Sequence, residues 1–366
     1  MKKNLKVFVA MSGGVDSSVA ALLLKQKGYD VVGVYMKGWS LTDCAEEDAR
    51  DARRVCGVLN IPFYVFNFEN EFKKAVVDYM IFGYAKGETP NPDVMCNKEI
   101  KFGLFLKKAL ELGADYIATG HYVRLANSQW PMANSKPYAI GYKLLAAKDG
   151  NKDQSYFLWT LTQKQLGHCL FPIGNYTKRQ IRAIASKCCL PTAEKPDSQG
   201  VCFVGEIDVA EFLKEKLGKN PGSILTLAGK KVGIHDGLSF YTIGQRKGIG
   251  LVGGGVPYYV AQKDFKTNAL IVAAANDRVL FSKKLTLKDI NWTSGKAPEL
   301  PLKCLARIRY RQPLQNCFVL SHLCYPYDRR NSIKVVFDTP QRAVTPGQSA
   351  VFYIKDGTML GGGIIV

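Results

Sequence analysis

The sequence lacks several features that would place it in a special class of protein. No apolar run approaches the ~20 residues that span a bilayer, so no membrane partner is expected. The ten cysteines include no Cys-x-x-Cys pair, so a structural zinc site or a cysteine-held iron–sulfur cluster has little support. Their positions show no disulfide framework, which is typical of reduced thiols in the cytoplasm. Repeats and low-complexity tracts are missing, and an ordinary apolar fraction of 47% argues against disorder.

Acidic residues are scarce relative to basic ones. Lysine and arginine together number 50 against 31 aspartates and glutamates, which gives a formal net charge of +19. Such an excess can be a solvated surface, but it favours a polyanionic partner, in the first place nucleic acid. The length of 366 residues predicts two or three domains.

A glycine-rich loop near the N-terminus lacks the lysine of a Walker P-loop. In "VFVAMSGGVDSSVAALLL" (7–24) an apolar strand runs into Ser-Gly-Gly and then into a helical pattern, but Gly14 is followed by Val-Asp-Ser-Ser and not by Lys-Ser/Thr. Backbone N–H groups at the helix start and three hydroxyls remain to bind phosphate. Asp16 would repel phosphate unless a cation lies between them, so it is predicted to share Mg²⁺ with a polyphosphate. The alternative is that Ser12 or Asp16 only caps the helix.

Strand and helix signals alternate through the first half of the chain. Strands are predicted at 5–10, 31–36 and 62–67, and helices at 16–27, 43–59, 69–84 and 98–113. This alternation predicts an α/β fold in which helices cover both faces of a doubly wound parallel sheet. Ligands of such sheets bind beyond the carboxyl ends of the strands, where Ser12-Gly13-Gly14 and Gly120-His121 are expected.

The pattern changes near Leu217 to short β-rich runs separated by Gly, Pro, Asn and Asp. These runs predict two small β-rich modules with a junction near 275–285, the last of them a β-barrel. The predicted domains are therefore 1–217, 218–279 and 280–366. The string "GIGLVG" (248–253) matches the dinucleotide pattern G-x-G-x-x-G, but no helix is predicted after it, so a basic loop is the better interpretation.

Two cysteines lie in polar, proline-containing segments. Cys96 in "TPNPDVMCNKEIKFG" comes just before a predicted helix that is rich in lysine, a setting that favours the thiolate form a nucleophile needs. Cys202 lies in the turn-rich segment "KPDSQGVCFVG". The general alternative for a cysteine is a small buried apolar residue. That alternative is assigned to Cys56, Cys169, Cys188, Cys304 and Cys317.

Several motifs together resemble one family. "SGGVDSS" resembles the PP-loop of ATP pyrophosphatases, which cleave ATP between the α- and β-phosphates. "GHYVR" (120–124), "NKDQSYFL" (151–158), "GQRKG" (244–248), "RIRYRQ" (307–312) and "TPGQSAVFY" (345–353) follow in order. With the two cysteine segments, they resemble the bacterial-type tRNA-specific 2-thiouridylase (MnmA/TrmU) family over essentially the whole chain.

The resemblance implies a reaction and its partners. With ATP and Mg²⁺, the C2 oxygen of the wobble uridine in the tRNA anticodon stem-loop would be adenylated. A persulfide on Cys202 would then supply sulfur, and Cys96 would release it through a transient disulfide with Cys202. The persulfide would come from a cysteine desulfurase or a sulfur-relay protein. The expected location is the cytoplasm.

The resemblance also implies site residues, matched motif by motif. ATP would be bound by Ala10, Met11, Ser12, Gly13, Gly14, Val15, Asp16, Ser17, Met36 and Gly120. The target base would be surrounded by Asn91, Pro92 and Asp93, and tRNA would be contacted by His121, Lys152, Asp153, Gln154, Arg309, Tyr310 and Gln348. For His121 a capping or core role is the alternative, and for Tyr310 an ordinary exposed strand.

Two segments depart from the family pattern, and three rival functions stay open. Residues 127–143 are longer and more apolar than expected for a loop, and "SLTDCAEED" follows "VYMKGW". A PP-loop ligase of a small molecule would need neither loop cysteine nor the basic β-rich half. A cytidine thiolase would be expected to have Cys-x-x-Cys cluster ligands. A non-catalytic RNA-binding protein that uses the nucleotide fold as a platform would form no AMP.

Overall fold

The computed structural model describes residues 5–41, 44–130, 139–197, 209–251, 257–321 and 332–366. The first half is built on five parallel strands: β1 (Lys6–Ala10), β2 (Asp30–Lys37), β3 (Phe63–Asn67), β4 (Tyr116–Ala118) and the later two-residue strand Cys169–Leu170. Their order is β3-β2-β1-β4 and then Cys169–Leu170. β1 therefore pairs with β2 on one side and with β4 on the other. The strand order reverses between β1 and β4, so a crevice for ligands opens at their carboxyl ends.

Both faces of this sheet are covered at its central strand β1. Successive side chains of a strand point to opposite faces, and along β1 they enter two different apolar clusters. Phe8 belongs to one cluster, and Val7 and Val9 belong to the other. The predicted doubly wound parallel sheet is confirmed.

Helices connect the strands. They are α1 (Val15–Gln26), α2 (Cys44–Val58), two long helices at 69–85 and 92–111, and the later helices Gln163–Leu166, Lys178–Lys187 and Val209–Leu217. Each long helix widens into π-helical turns in its middle, over Lys73–Val77 in the first and Cys96–Phe105 in the second. Short 3₁₀ turns lie at Ser155–Leu158, Leu238–Phe240 and Arg278–Leu280.

The helix that carries Cys96 begins earlier than predicted. We call it the Cys96 helix (92–111). Its first residue is Pro92, and the Asn91 side chain accepts hydrogen bonds from the backbone N–H groups of Asp93 and Val94. An Asn cap followed by proline is a strong start signal, and it outweighs the apolar periodicity that placed the start near 98. Cys96 thus lies inside the helix, in its second turn.

Residues 127–130 and 139–143 lie in two paired strands of a β-hairpin and not in a loop. β5 (Val123–Trp130) and β6 (Ala139–Ala146) pair antiparallel along their whole length. The base of the hairpin contacts the C-terminal part of the chain, because Ala146 N donates to Gly357 O at 2.8 Å. The length and the apolar residues that were unexpected for a loop are ordinary for a two-stranded ribbon.

Two β-rich modules follow. The first is a four-stranded sheet of Gly222–Thr226, Lys231–His235, Tyr258–Asp264 and Ala269–Ala274. The second is a closed six-stranded barrel of Phe281–Trp292, Leu302–Arg307, Gln315–Ser321, Ile333–Arg342, Ser349–Tyr353 and Met359–Ile365. In Ile333–Arg342 the residues Ile333, Val335 and Phe337 are buried while those between are partly exposed, as expected for strands around a filled barrel. The predicted β-rich modules are confirmed. Their boundaries at 217 and 279 stay predictions.

The barrel packs against the turn that follows Lys152–Gln154. Tyr156 OH donates to Ser349 O at 2.9 Å, and Trp159 Nε1 donates to Ser349 Oγ at 3.0 Å. Beside them, Arg307 Nη2 lies 3.4 Å from Asp153 Oδ2, and both side chains are nearly fully buried. Removing one partner of a buried ion pair typically costs ~3–5 kcal/mol. The barrel is therefore firmly joined to the first domain.

No helix within the described ranges is long and apolar enough to cross a membrane.

A half-buried lysine joins the four-stranded sheet to the first domain. Lys263 Nζ donates to the carbonyl of Gly87 at 3.0 Å. Burial lowers the pKa of Lys263 from its ordinary 10.5 to about 8. Below pH 8 the folded protein therefore holds a poorly solvated ammonium group.

The stability of a Lys263→Met variant relative to the wild type should fall as the pH rises. Between pH 8 and 10.5 the unfolded wild-type chain still binds the proton that the folded chain has released, so wild-type stability rises by at most about 3 kcal/mol. The variant lacks this gain. Urea unfolding at pH 7, 8.5 and 10 measures it, with Lys231→Met at an exposed position as the control for lost charge. A difference that stays constant with pH would contradict the assignment.

Candidate active site

The glycine-rich loop after β1 is closed by its own hydroxyl groups. Ser12 N donates to Ser17 Oγ at 3.1 Å, and the Ser17 and Ser18 hydroxyls donate to Gly14 O at 3.1 and 2.8 Å. Gly13 has φ +73°, and a Cβ there would lie 2.4 Å from the carbonyl oxygen of Asp48. Only glycine fits this position. The predicted ATP-binding residues of this region lie at the end of β1, in the loop or in the first turn of α1: Ala10, Met11, Ser12, Gly13, Gly14, Val15, Asp16 and Ser17.

The start of α1 is open to an anion. The residue that precedes the helix is Gly14, and no side chain caps the first turn. Ser12 and Asp16 are therefore not the helix cap, which was the alternative to a phosphate site. Uncapped N–H groups at the positive end of a 12-residue helix are suited to phosphate oxygens.

Asp16 is held by a lysine from a distant part of the chain. Lys178 Nζ lies 2.8 Å from both carboxylate oxygens of Asp16 and 2.7 Å from Asp197 Oδ1. The phenol of Tyr122 also donates to Asp16, at 2.7 Å. Burial and the charge of Asp16 raise the pKa of Tyr122, so it stays protonated.

Asp197 is contacted by two more cationic side chains besides Lys178. Lys152 Nζ and Arg182 Nη2 contact its carboxylate at 2.6 and 2.9 Å. Burial works against the charged form, but the hydrogen bonds and charges of Lys152 and Lys178 lower the pKa of Asp197 to about 2. Asp197 is thus a permanent anion, five residues before Cys202 in the sequence.

Residues at the end of β4 complete the crevice. A Cβ on Gly120 would lie 2.7 Å from Ser17 N and 2.8 Å from Asp16 C, so the backbone of Gly120 packs directly on the start of α1. Met36 lies half-buried near the end of β2, one strand away from the loop. Gly120 and the loop therefore lie together at the carboxyl ends of β1 and β4, as their sequence positions predicted, and ATP binding by Met36 stays a prediction.

His121 is buried beside this crevice. Its exposed fraction is 7%, Nδ1 lies 2.8 Å from Thr119 Oγ1, and its ring contacts those of Phe102 and Phe171. Burial and the positive charge of Lys101 hold the pKa of His121 well below its usual range, so its ring is neutral. Its place is that of a core histidine, and a contact with tRNA stays a prediction.

The Cys96 helix carries the candidate base-binding residues. Asn91 is its cap, Pro92 its first residue, and Asp93 lies in its first turn. Burial raises the pKa of Asp93, partly offset by the charge of Lys101. Cys96 is half-buried. Its neighbour Asn97 is 3% exposed, and its Oδ1 has no hydrogen-bond partner among the described residues.

Cys202 lies outside the described residues. Its approach to Cys96 and the predicted transient disulfide therefore stay predictions. Cys56, Cys169, Cys304 and Cys317 are buried, as assigned, whereas Cys188 is only partly buried.

The Lys152–Gln154 segment has partners within the first domain and the barrel. Lys152 binds Asp197 and Asp153 pairs with Arg307, as described above. Gln154 Oε1 accepts a hydrogen bond from Tyr122 N at 2.9 Å. This segment therefore orients Tyr122 and Asp197, and its predicted tRNA contacts stay predictions.

The three candidate tRNA residues of the barrel also make contacts inside the protein. Arg309 Nη2 donates to Ile243 O and Ala343 O at 2.9 and 3.0 Å, bridging the two β-rich modules. The ring of Tyr310 lies 4.6 Å from that of Phe157. Gln348 Nε2 donates to Thr89 O at 2.8 Å. These contacts position loops, and tRNA binding by the three residues stays a prediction.

The whole chain is similar to proteins of one family. Residues 5–206 match the family model described as tRNA methyl transferase HUP domain, 210–274 the tRNA methyl transferase PRC-barrel domain, and 282–365 the aminomethyltransferase beta-barrel domain. The tRNA-specific 2-thiouridylase MnmA of Geobacillus thermodenitrificans is 48% identical, covering 98% of this chain and 94% of that protein. The MnmA of Francisella tularensis subsp. tularensis is 46% identical, covering 100% of both. The chain belongs to the tRNA-specific 2-thiouridylase family.

Membership in the 2-thiouridylase family confirms the resemblance drawn from the motifs. The domain models carry methyltransferase descriptions, but the relatives that align along the full chain are named 2-thiouridylases. A small-molecule ligase is a weaker reading, since the match extends through both β-rich modules. The roles that the family resemblance implies for individual residues of this chain stay predictions.

Three residues of the site were missed in the sequence: Lys178, Asp197 and Tyr122. Tyr122 and Asp197 lie inside motifs already noted, "GHYVR" and "KPDSQGVCFVG". Lys178 had a local signal, because Thr177 forms a capping box with Gln180 and so places Lys178 in the first helical turn. A lysine at the positive end of a helix is unfavourable without an acidic partner. The position of Lys178 therefore indicates an acidic partner elsewhere in the chain.

Gly120→Ala should weaken nucleotide binding and destabilise the protein. The added Cβ meets backbone atoms at the start of α1, which move only with the loop, so a loss of about 1–3 kcal/mol is expected. Melting curves with and without ATP and Mg²⁺ measure both effects. Gly150→Ala is the control, since a Cβ there meets nothing within 4 Å. Equal nucleotide-dependent shifts in both variants would contradict the close packing of Gly120 on the loop.

Proposed function

We propose that this protein thiolates the wobble uridine of tRNA at C2, using ATP and a persulfide. The observation that carries the proposal is the anion loop without a Walker lysine. Its positive charge comes instead from Lys178, 162 residues away from Asp16 in the sequence. Such a site suits release of pyrophosphate, which requires no γ-phosphoryl transfer. Family membership supports the same reaction.

ATP and Mg²⁺ fit the residues of the crevice. The glycines at 13 and 120 let the loop and the end of β4 pack closely around the start of α1, and this open helix start suits phosphate. Asp16, with Asp197 beside it, would hold Mg²⁺, which commonly takes one or two carboxylates and completes its shell with phosphate and water. Bound Mg²⁺ would neutralise charge that develops on the phosphates. Among the described residues no cluster of three His, Cys, Asp or Glu side chains could hold a metal.

Lys178 has two roles in this proposal. In the absence of nucleotide its ammonium neutralises Asp16 and Asp197. With nucleotide bound, it supplies the positive charge next to the polyphosphate that a Walker lysine supplies elsewhere. The phenol of Tyr122, which is buried, donates a hydrogen bond to Asp16 and so orients its carboxylate.

The sulfur transfer is assigned to the two cysteines. The C2 oxygen of uridine attacks the α-phosphate of ATP, and pyrophosphate leaves. The outer sulfur of the Cys202 persulfide attacks C2 and AMP leaves. The Cys96 thiolate then attacks Cys202 Sγ, forming a Cys96–Cys202 disulfide and leaving sulfur on C2. A thiol reductant restores both cysteines.

The surroundings of Cys96 suit this chemistry. Asn91, Pro92 and Asp93 would surround the base that is unstacked from the anticodon loop. Burial raises the pKa of Asp93, which favours a carboxyl group that can hold a proton. The net charge of +19 favours binding of tRNA. The persulfide donor is a cysteine desulfurase or a relay protein, and the site of action is the cytoplasm.

The two cysteines should be separable by sulfur labelling and nucleoside analysis. Cys202→Ser should accept no radiolabelled persulfide sulfur but still bind ATP and tRNA, since a hydroxyl cannot carry sulfane sulfur. Cys96→Ser should be labelled at Cys202 and yet form no 2-thiouridine, because the resolving thiolate is missing. Mass spectrometry of nucleosides from tRNA incubated with protein, ATP, Mg²⁺ and persulfide measures the product. Thiolation by Cys96→Ser would overturn the roles, and no AMP under any condition would favour a non-catalytic RNA-binding protein.

Asp16→Ala should abolish AMP formation while leaving tRNA affinity within about threefold, because a lost Mg²⁺ ligand affects phosphate chemistry and not RNA contacts. AMP release and tRNA filter binding measure the two effects. Asp30→Ala is the matched control, since Asp30 is exposed at the opposite end of the parallel sheet. Normal AMP formation by Asp16→Ala would remove Asp16 from the metal role.

A further inference from the structure

The segment Gly87–Thr89, which leads into the Cys96 helix, is held by both β-rich modules. From the barrel, Pro346 O accepts a hydrogen bond from Thr89 N at 2.8 Å, and Gln348 Nε2 donates to Thr89 O at 2.8 Å. Both backbone groups of Thr89 are thus bound by one barrel loop. Thr89 is 8% exposed.

The residue between these two contacts leaves no free space. Gly347 has φ +91°, and a Cβ there would lie 2.8–2.9 Å from the backbone N, C and O atoms of Thr89. The barrel loop and Thr89 therefore touch backbone to backbone. Neither side can shift without moving the other, because backbone atoms have no rotamers to yield.

The four-stranded sheet and its loops hold the same segment from another side. Lys263 Nζ donates to Gly87 O, and the ring of Phe265 occupies the space where a Cβ of Gly87 would lie. Thr89 Oγ1 donates to Thr242 Oγ1 at 3.3 Å. Lys288 of the barrel adds an ion pair with Glu88 at 3.4 Å.

The chain between Thr89 and Cys96 is short and stiff. Pro90 and Pro92 fix their own φ angles and restrict the residues before them. Pro90 also packs against Gly83, where a Cβ would come within 2.7 Å of its ring. Asn91 then caps the Cys96 helix with two hydrogen bonds. A displacement of Thr89 is therefore passed on to Asp93 and Cys96.

We propose that Thr89 is a positioning residue for the sulfur-transfer step, and that the barrel loop 346–348 sets the position of Cys96 through it. The inference rests on the proposed function for its catalytic meaning. The β-rich modules then do more than bind RNA, because they hold the catalytic helix in register. Gln348 takes part in this positioning through its hydrogen bond to Thr89.

Gly347→Ala tests the proposal, with Gly295→Ala as the matched control. Both glycines lie in the barrel at positive φ, but a Cβ on Gly295 meets nothing within 4 Å. In Gly347→Ala, kcat for thiolation should fall by roughly 10–100-fold, since a misplacement of about 1 Å costs about 10²-fold in rate. KM for tRNA and the Kd for ATP should stay within about twofold of wild type. Gly295→Ala should keep wild-type kcat.

The reactivity of Cys96 gives a readout that does not depend on thiolation. The alkylation rate of Cys96 by iodoacetamide, followed by peptide mass spectrometry on the full chain, should change at least about threefold in Gly347→Ala and not in Gly295→Ala. If Gly347→Ala does not fold, Gln348→Met, which removes the hydrogen bond to Thr89 O, is tested by the same measurements of kcat and of the Cys96 alkylation rate. A wild-type alkylation rate and kcat in the folded variant overturn the proposal. If the wild type forms no 2-thiouridine and the alkylation rates still follow the variants, the proposed function fails and the positioning role stands.

Discussion

The ammonium group of Lys178, placed between Asp16 and Asp197, is the interaction on which the active site depends. It joins the glycine-rich loop, the start of a later helix and the segment that leads toward Cys202. Two carboxylates so close together would repel each other without a cation between them. The same group explains how a phosphate loop can lack its own lysine. A positive charge is required near a polyphosphate, but it does not have to come from the loop.

The packing around this network shows why the β-rich modules are needed by the first domain. The strand Ser349–Tyr353 binds the turn after Gln154, and the loop just before that strand binds Thr89. One edge of the barrel thereby supports two segments of the catalytic crevice. One of them orients Tyr122 and Asp197, and the other carries Cys96. These contacts are buried and largely join backbone atoms to side-chain amides or hydroxyls. A displacement of the barrel edge is therefore expected to move both segments.

Much of the fold could be predicted because its signals are local. The alternation of strands and helices and the change to short β-runs at Leu217 follow from side-chain periodicity. Errors occurred where two local signals competed. The start of the Cys96 helix was placed six residues late because apolar spacing was weighed above the Asn91-Pro92 cap. Residues 127–130 and 139–143 were expected in a loop, but they pair as two strands.

The sequence by itself determined the strand–loop–helix unit around Gly13 and Gly14, the basic charge of the chain and the family to which it belongs. Each depends on neighbours in sequence or on composition. Only the tertiary structure decided that Lys178 meets Asp16, that His121 is a buried neutral ring, and that Arg309 and Gln348 bind backbone carbonyls of other segments. These pairings join residues from 34 to 259 positions apart. The local periodicity of a sequence cannot predict contacts between residues so far apart in the chain. These contacts form only once the sheet, the helices and the barrel have packed together.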